Sequence, residues 1–143
     1  MRSRPETHIQ AKHIRDMLDK PNHIVVGDLN AHTPTWGNHF SDWAGNAIER
    51  ETLELGHMVI NTGQPTRIAE GPAQRHTAID LTIISDDFTY PVAQWETLDD
   101  SLGSDHLPCI TTLLGDDCRV ETNTPPLKFN TKKGKLEQIS KPT

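Results

Sequence analysis

At 143 residues the chain has the length of one compact domain or a piece of one, and 34% apolar with 5% aromatic residues gives an adequate core rather than a generous one. No run approaches the ~20 consecutive apolar residues of a membrane helix, and the start lacks the apolar stretch of a secretory signal, so the expectation is an intracellular chain with no membrane partner. The net charge of −6 is uneven: the last 17 residues carry Lys128, Lys132, Lys133, Lys135 and Lys141 against Glu137, and removing that +4 leaves −10 on residues 1–126, which argues against a broad phosphate-binding surface.

Thr7 and Gln10 have capping-box spacing, and Ala11, Ile14, Met17 and Leu18 recur at helical intervals until Pro21, which predicts a helix over 8–19. His23, Ile24, Val25 and Val26, closed by Gly27, predict a buried strand whose end carries residues 28–32. Pro34, Trp36, Gly37 and Asn38 make a loop. Ile48, Thr52 and Leu55 mark one face of a second helix that Gly56 terminates. Met58, Val59 and Ile60 form a short strand, and Gly63 and Pro65 turn the chain into Thr66, Arg67 and Ile68, with 70–76 as a hairpin loop.

The best strand covers 78–84, where Ile79, Leu81 and Ile83 share one face and Asp80 and Thr82 the other. Another strand is expected over 92–97, a polar loop over 98–105, and a last strand over 107–114 beginning with Pro108. Residues 1–115 therefore read as the folded portion. Residues 116–143, rich in Thr, Pro and Lys, read as a flexible linker or tail that need not pack. Cys109 and Cys118 have neither metal-ligand spacing nor a dense framework, and are expected as unpaired thiols.

Three polar clusters sit at the ends or on one face of these strands: Asp28, Asn30 and His32; Asp80; and Ser104, Asp105 and His106. Clustered carboxylates suit a hard divalent cation, an amide can hold a phosphate oxygen, and a histidine oriented by a carboxylate can polarise phosphorus or manage protons. Together they describe phosphate-ester hydrolysis. Singly each has a plainer explanation: Asp28 and Asn30 could make a turn, Asp80 could be an outward strand residue, and Asp105 with His106 could cap a strand.

As a set, Gly27-Asp28-Leu29-Asn30-Ala31-His32, Ala78-Ile79-Asp80-Leu81-Thr82 and Ser104-Asp105-His106-Leu107-Pro108 resemble, in order, the three C-terminal motifs of the endonuclease/exonuclease/phosphatase superfamily. Pro34, Trp36 and Gly37 after Ala31-His32, the Pro65-Thr66-Arg67 turn, and Ile79-Asp80-Leu81-Thr82 are similar to the endonuclease domains of R1- and jockey-like non-LTR retrotransposons. Phe129-Asn130-Thr131-Lys132-Lys133 resembles the link that leads from such a domain towards a reverse transcriptase.

The resemblance implies an α/β fold, part of a four-layer α/β/β/α sandwich of the DNase I-like kind. It also implies Mg²⁺, with Mn²⁺ as an alternative, and DNA as the partner, nicked on one strand in the nucleus to leave a 3′ hydroxyl for priming. Position by position, Asp28 would orient or deprotonate the attacking water and Asn30 would grip the scissile phosphate. Asp105 would be a metal ligand, directly or through water, with Asp28 as the other carboxylate offered to the metal. His106 would stabilise charge on the phosphoryl oxygens, held in its tautomer by Asp80. His32, Thr66 and Ser104 are weaker substrate-binding candidates: His32 could contact phosphate or close its loop, and Thr66 could reach DNA or be structural.

The match begins near Gly27, and nothing before Asp28 looks like the family's earlier motifs, which contribute an Asn and the metal-binding Glu; Glu6 precedes a helix and is not assigned. The expectation is a C-terminal portion with its N-terminal half missing, weakly active or inactive alone. Two alternatives stand beside the nickase: a phosphatase or abasic-site nuclease of the same superfamily, and a noncatalytic remnant that binds nucleic acid nonspecifically through its lysines. Arg67 and Arg75 could insert into a DNA groove or be solvated, and Trp36, Trp43 and Trp95 read as core or loop anchors.

Overall fold

The computed structural model describes residues 11–115 and the backbone of Leu127–Asn130 and Lys135–Gln138. Helix α1, Ala11–Leu18, buries Ile14 and Leu18, which lie four residues apart and so share one face. The earlier part of the expected helix, including Thr7 and Gln10, lies outside the described residues. Strand β1, Ile24–Asp28, carries the β-branched run and continues through Gly27, so Asp28 belongs to the sheet itself.

A 3-10 turn at Pro34–Trp36 follows, started by the Thr33 hydroxyl accepting from the Thr35 N–H and closed by Gly37 at φ 107. Only glycine fits there: a Cβ would lie 2.6 Å from the Gly63 carbonyl oxygen. Helix α2, Trp43–Leu55, starts at Asp42, whose carboxylate accepts from the Gly45 N–H at 2.7 Å, and ends at Gly56 in the left-handed region at φ 71. Trp43 corrects the expectation of an anchor: it opens this helix with 53% of its surface exposed.

Strands β2, Met58–Val59, and β3, Asp80–Ile84, complete an antiparallel sheet ordered β1-β3-β2. In this register Val25 opposes Ile83, Val26 opposes Thr82 and Asp28 opposes Asp80. The period of two turns Leu81 and Ile83 towards the helices, where they meet Ile14, Leu18, Ala31, Trp36, Ala47 and Ile48 in one core. Each fully buried aliphatic side chain here stabilises by roughly 1.5–3 kcal/mol. The Trp36 indole N–H donates to the Ala31 carbonyl at 3.0 Å and ties the loop after β1 to this core.

The opposite sheet face carries Val26 and Asp28, both exposed, with Asp80 and Thr82. Thr82 is covered by Trp95, whose indole N–H donates to the Thr82 hydroxyl at 3.1 Å. Trp95 lies on β4, Val92–Thr97, which pairs antiparallel with β5, Cys109–Leu113. The last strand starts later than expected because Pro108 has no N–H to give; its carbonyl instead accepts from Leu98. The hairpin expected around 70–76 reduces to one bridge, Arg67 with Thr77, and Arg67 also bridges His106.

Leu127–Asn130 and Lys135–Gln138, β6 and β7, pair as an antiparallel hairpin, where composition predicts only a linker. The rest of residues 116–143, with Cys118 and the lysine side chains, lies outside the described residues. Cys109 is a free thiol, and its pKa is raised by burial and then by the charge of Asp80. No described helix is long and apolar enough to cross a membrane.

Candidate active site

Asp28 and Asp80 arrive at one place because β1 and β3 put them directly opposite each other. Like charges in this relation destabilise a sheet, so both carboxylates need a cationic answer nearby. The Asp80 backbone is held on both sides. Its N–H donates to the Thr66 hydroxyl at 3.0 Å, and its carbonyl accepts from the Asn61 amide at 2.9 Å. Asn61 also accepts from the Thr82 N–H at 2.9 Å, so its side chain stands in for a further residue of the β2 ladder.

The segment leading into β5 supplies the answering charge. His106 Nδ1 lies 2.8 Å from Asp80 Oδ2, and its Nε2 lies 3.9 Å from Asp28 Oδ2. An ionised carboxylate only accepts, so Nδ1 carries the proton and Nε2 is the atom turned towards Asp28. The hydrogen bond that His106 donates to Asp80 raises the His106 pKa, burial opposes it, and the charges of Asp80, Asp105 and Asp28 add to the rise. Ser104, offered as a substrate contact, uses its hydroxyl to accept from the His106 N–H at 3.0 Å and so shapes the loop that presents the ring.

Asn30 sits at the exposed end of β1 with φ 45, a conformation asparagine tolerates, and its N–H donates to Asp28 Oδ1 at 2.9 Å. This fixes one oxygen of Asp28. Asp105 is adjacent in sequence to His106, yet its Oδ2 accepts from Arg67 Nε at 2.9 Å. That hydrogen bond from the guanidinium holds the Asp105 carboxyl below the usual range.

The resemblance offers Asp105 and Asp28 to the metal; in the fold Asp28, Asp80 and His106 each bring one ligand atom within 4.8 Å of the others, while Asp105 Oδ2 accepts from Arg67 Nε. Asp105 is drawn aside because a guanidinium already neutralises it. The two opposed carboxylates offer the oxygen donors that suit a hard divalent cation, and the imidazole beside them is left free to meet a phosphate. A cation between the carboxylates and a proton on His106 Nε2 would each bring positive charge to a site that is short of it.

Thr66 takes the structural one of its two readings. Its side chain is 0% exposed, and its hydroxyl accepts from both the Ile79 and Asp80 N–H groups at 3.0 Å, so it cannot touch DNA and serves to position Asp80. For His32 the structure shows the loop-closing arrangement. Its Nδ1 is 2.6 Å from Asp42 Oδ2, its backbone N–H donates to Asp42 Oδ1, and its ring stacks on Phe40 at 4.7 Å. Burial pushes the Asp42 carboxyl up, but hydrogen bonds from the Gly45 N–H and from His32 outweigh it and lower the pKa.

Three contributors escape sequence reasoning: Asn61, Arg67 as the partner of Asp105, and Asp42. Only Asp42 leaves a signal, since an aspartate just before a helical pattern is a cap.

Residues 2–110 match the family model described as Endonuclease-reverse transcriptase. Over 121 residues the chain is 28% identical to a probable RNA-directed DNA polymerase from transposon BS of Drosophila melanogaster, covering 81% of this chain and 13% of that protein. Its fold is similar to that of the endonuclease domain of TRAS1, a telomere-specific non-LTR retrotransposon. That likeness has a TM-score of 0.58 at 23% identity and covers 71% of this chain and 46% of the other. The chain thus spans less than half the length of either relative.

Proposed function

The chain belongs to the endonuclease-reverse transcriptase family, and on that premise we propose that it hydrolyses a phosphodiester bond of DNA, nicking one strand. Asp28, Asp80 and His106 form the working unit. The observation that carries the reading is the approach of these three to within 4.8 Å on the sheet face away from the helices. Mg²⁺ or Mn²⁺ held by Asp28 and Asp80 would neutralise phosphate charge and acidify a bound water.

The residues divide the remaining work. Asp28, with Oδ1 fixed by the Asn30 N–H, accepts the proton of the attacking water through its other oxygen. His106, held by Asp80, directs its Nε2 proton at a non-bridging phosphoryl oxygen and stabilises the charge that develops there. The exposed Asn30 amide takes another phosphate oxygen. As the water oxygen bonds to phosphorus, the bond to the 3′ oxygen breaks and that oxygen takes a proton from solvent, leaving a 5′ phosphate and a 3′ hydroxyl. That hydroxyl is the end a polymerase extends, which suits a family joining endonuclease to reverse transcriptase, and the nucleus is the compartment we propose for it.

Nicking of supercoiled plasmid tests this reading. Relaxed circles are expected in Mg²⁺ and not in EDTA, with Asp28→Asn lowering the rate by about 10²–10⁴-fold. Abasic duplex and phospholipid serve as competing substrates. A folded chain that hydrolyses either of these but leaves intact plasmid untouched overturns the proposal.

A further inference from the structure

Arg67 occupies a position that the hydrolytic unit does not use. Its backbone is fixed from both sides: its N–H donates to the Thr77 carbonyl at 2.9 Å, its carbonyl accepts from the Thr77 N–H at 3.1 Å, and on the other side it bridges His106. Bridge partners stand about 5 Å apart at Cα, so Arg67 is anchored beside the residue that faces the reacting phosphate. The flanking bonds, Ile68 N–H to the Asp105 carbonyl and Leu107 N–H to the Thr66 carbonyl, at 2.7 Å each, make that anchor rigid.

The side chain is oriented as well. Nε donates to Asp105 Oδ2 at 2.9 Å, while the side chain remains 49% exposed. Among the described residues no partner is recorded for its two terminal nitrogens. A guanidinium pinned through Nε keeps four N–H donors in one plane, the geometry that suits phosphate oxygens. Asp105 cancels its net charge locally without using those donors. An arginine serving only as a counter-ion would more simply present its terminal fork to the carboxylate.

We propose that Arg67 is a substrate-binding residue whose terminal nitrogens clamp a backbone phosphate flanking the scissile one, with Asp105 aiming the guanidinium. This deepens the nuclease reading and rests on it. The clamp explains why an acidic aspartate beside the site is occupied by an arginine rather than turned towards Asp28. It also separates two tasks: Asp28, Asp80 and His106 act on one phosphate while Arg67 fixes the strand through the next.

The test is equilibrium binding of the full chain to a fluorescein-labelled DNA duplex in EDTA, where no turnover occurs, across a series of salt concentrations. Thermal unfolding of each variant in parallel confirms folding. Arg67→Gln is expected to weaken binding and to reduce the slope of log K against log salt by about 1, the loss of one phosphate contact. Arg67→Lys is expected to recover most of that slope, because a single charge still releases a counter-ion, while its affinity stays below wild type because the fork is gone. A folded Arg67→Gln with wild-type affinity and slope overturns the clamp. If that variant behaves so while the wild type still nicks plasmid, the clamp alone fails; if the wild type neither binds DNA nor nicks it, the nuclease reading fails with it.

Discussion

Asp28 and Asp80 face each other across the β1–β3 ladder, two carboxylates in register on neighbouring strands. The cost of that opposition is met by His106, 2.8 Å from Asp80 and 3.9 Å from Asp28 through its two ring nitrogens. A site poised in this way is short of positive charge, which makes it receptive both to a proton and to a divalent cation.

The first consequence concerns pH. The His106 pKa is raised in the fold, chiefly by the Asp80 hydrogen bond. A raised pKa means the protonated ring contributes stability that is fully present below the unfolded value of about 6.5 and is lost as pH rises through the folded pKa. The urea midpoint of wild type minus that of His106→Gln is therefore expected to be largest near about pH 6 and to shrink as the solution is made alkaline. A difference that stays constant or grows with pH would contradict the charge assignment.

Thr66 supplies a second. Its buried hydroxyl accepts from two backbone donors, so Thr66→Val keeps the shape and leaves those donors without a partner. At about 1–3 kcal/mol for a buried unsatisfied donor, a destabilisation of about 2 kcal/mol is expected by chemical denaturation. Thr66→Ser retains the acceptor and should cost only about 1 kcal/mol for the lost methyl group. Equal losses in the two variants would show that volume, not the hydroxyl, holds Asp80.

Gly45 decides the sign of a third. Inside a helix Gly→Ala ordinarily stabilises by about 1 kcal/mol. Here the new Cβ would fall 2.7 Å from Thr33 Cγ2 and run into the His32 carbonyl, which is backbone and cannot step aside cheaply. Gly45→Ala is expected to lower stability by about 1–3 kcal/mol, the usual range for overpacking. A higher melting temperature for that variant would mean the loop carrying His32 is freer than its bonds to Asp42 imply.

Much of the frame was legible because it rests on periodicity and punctuation. The β-branched run at Ile24, Val25 and Val26, the alternation through Leu81 and Ile83, and Gly56 after Leu55 are local signals, and each appears where it is expected. The meeting of Asp28, Asp80 and His106 was legible through the motifs rather than through spacing, since nothing local says which strands pair. Thr66 leaves both readings open in the sequence, and only the sheet above it, with two N–H groups lacking another acceptor, decides for the structural one. Arg67 and Asp105 are 38 residues apart, and their bond depends on the double bridge at Arg67. Trp43 shows the limit of composition: it gives the number of indoles, not the face on which the first helical turn sets them.

If Asp80 acts through His106, the two should fail as a unit. Plasmid-nicking rates for Asp80→Asn, His106→Gln and the double variant, each checked for folding, measure this directly. Losses of about 10²–10³-fold or more are expected in the single variants, with the double variant little worse than the poorer single one. Losses that multiply in the double variant would mean the two side chains contribute independently, and the hydrogen bond between them would carry no part of the chemistry.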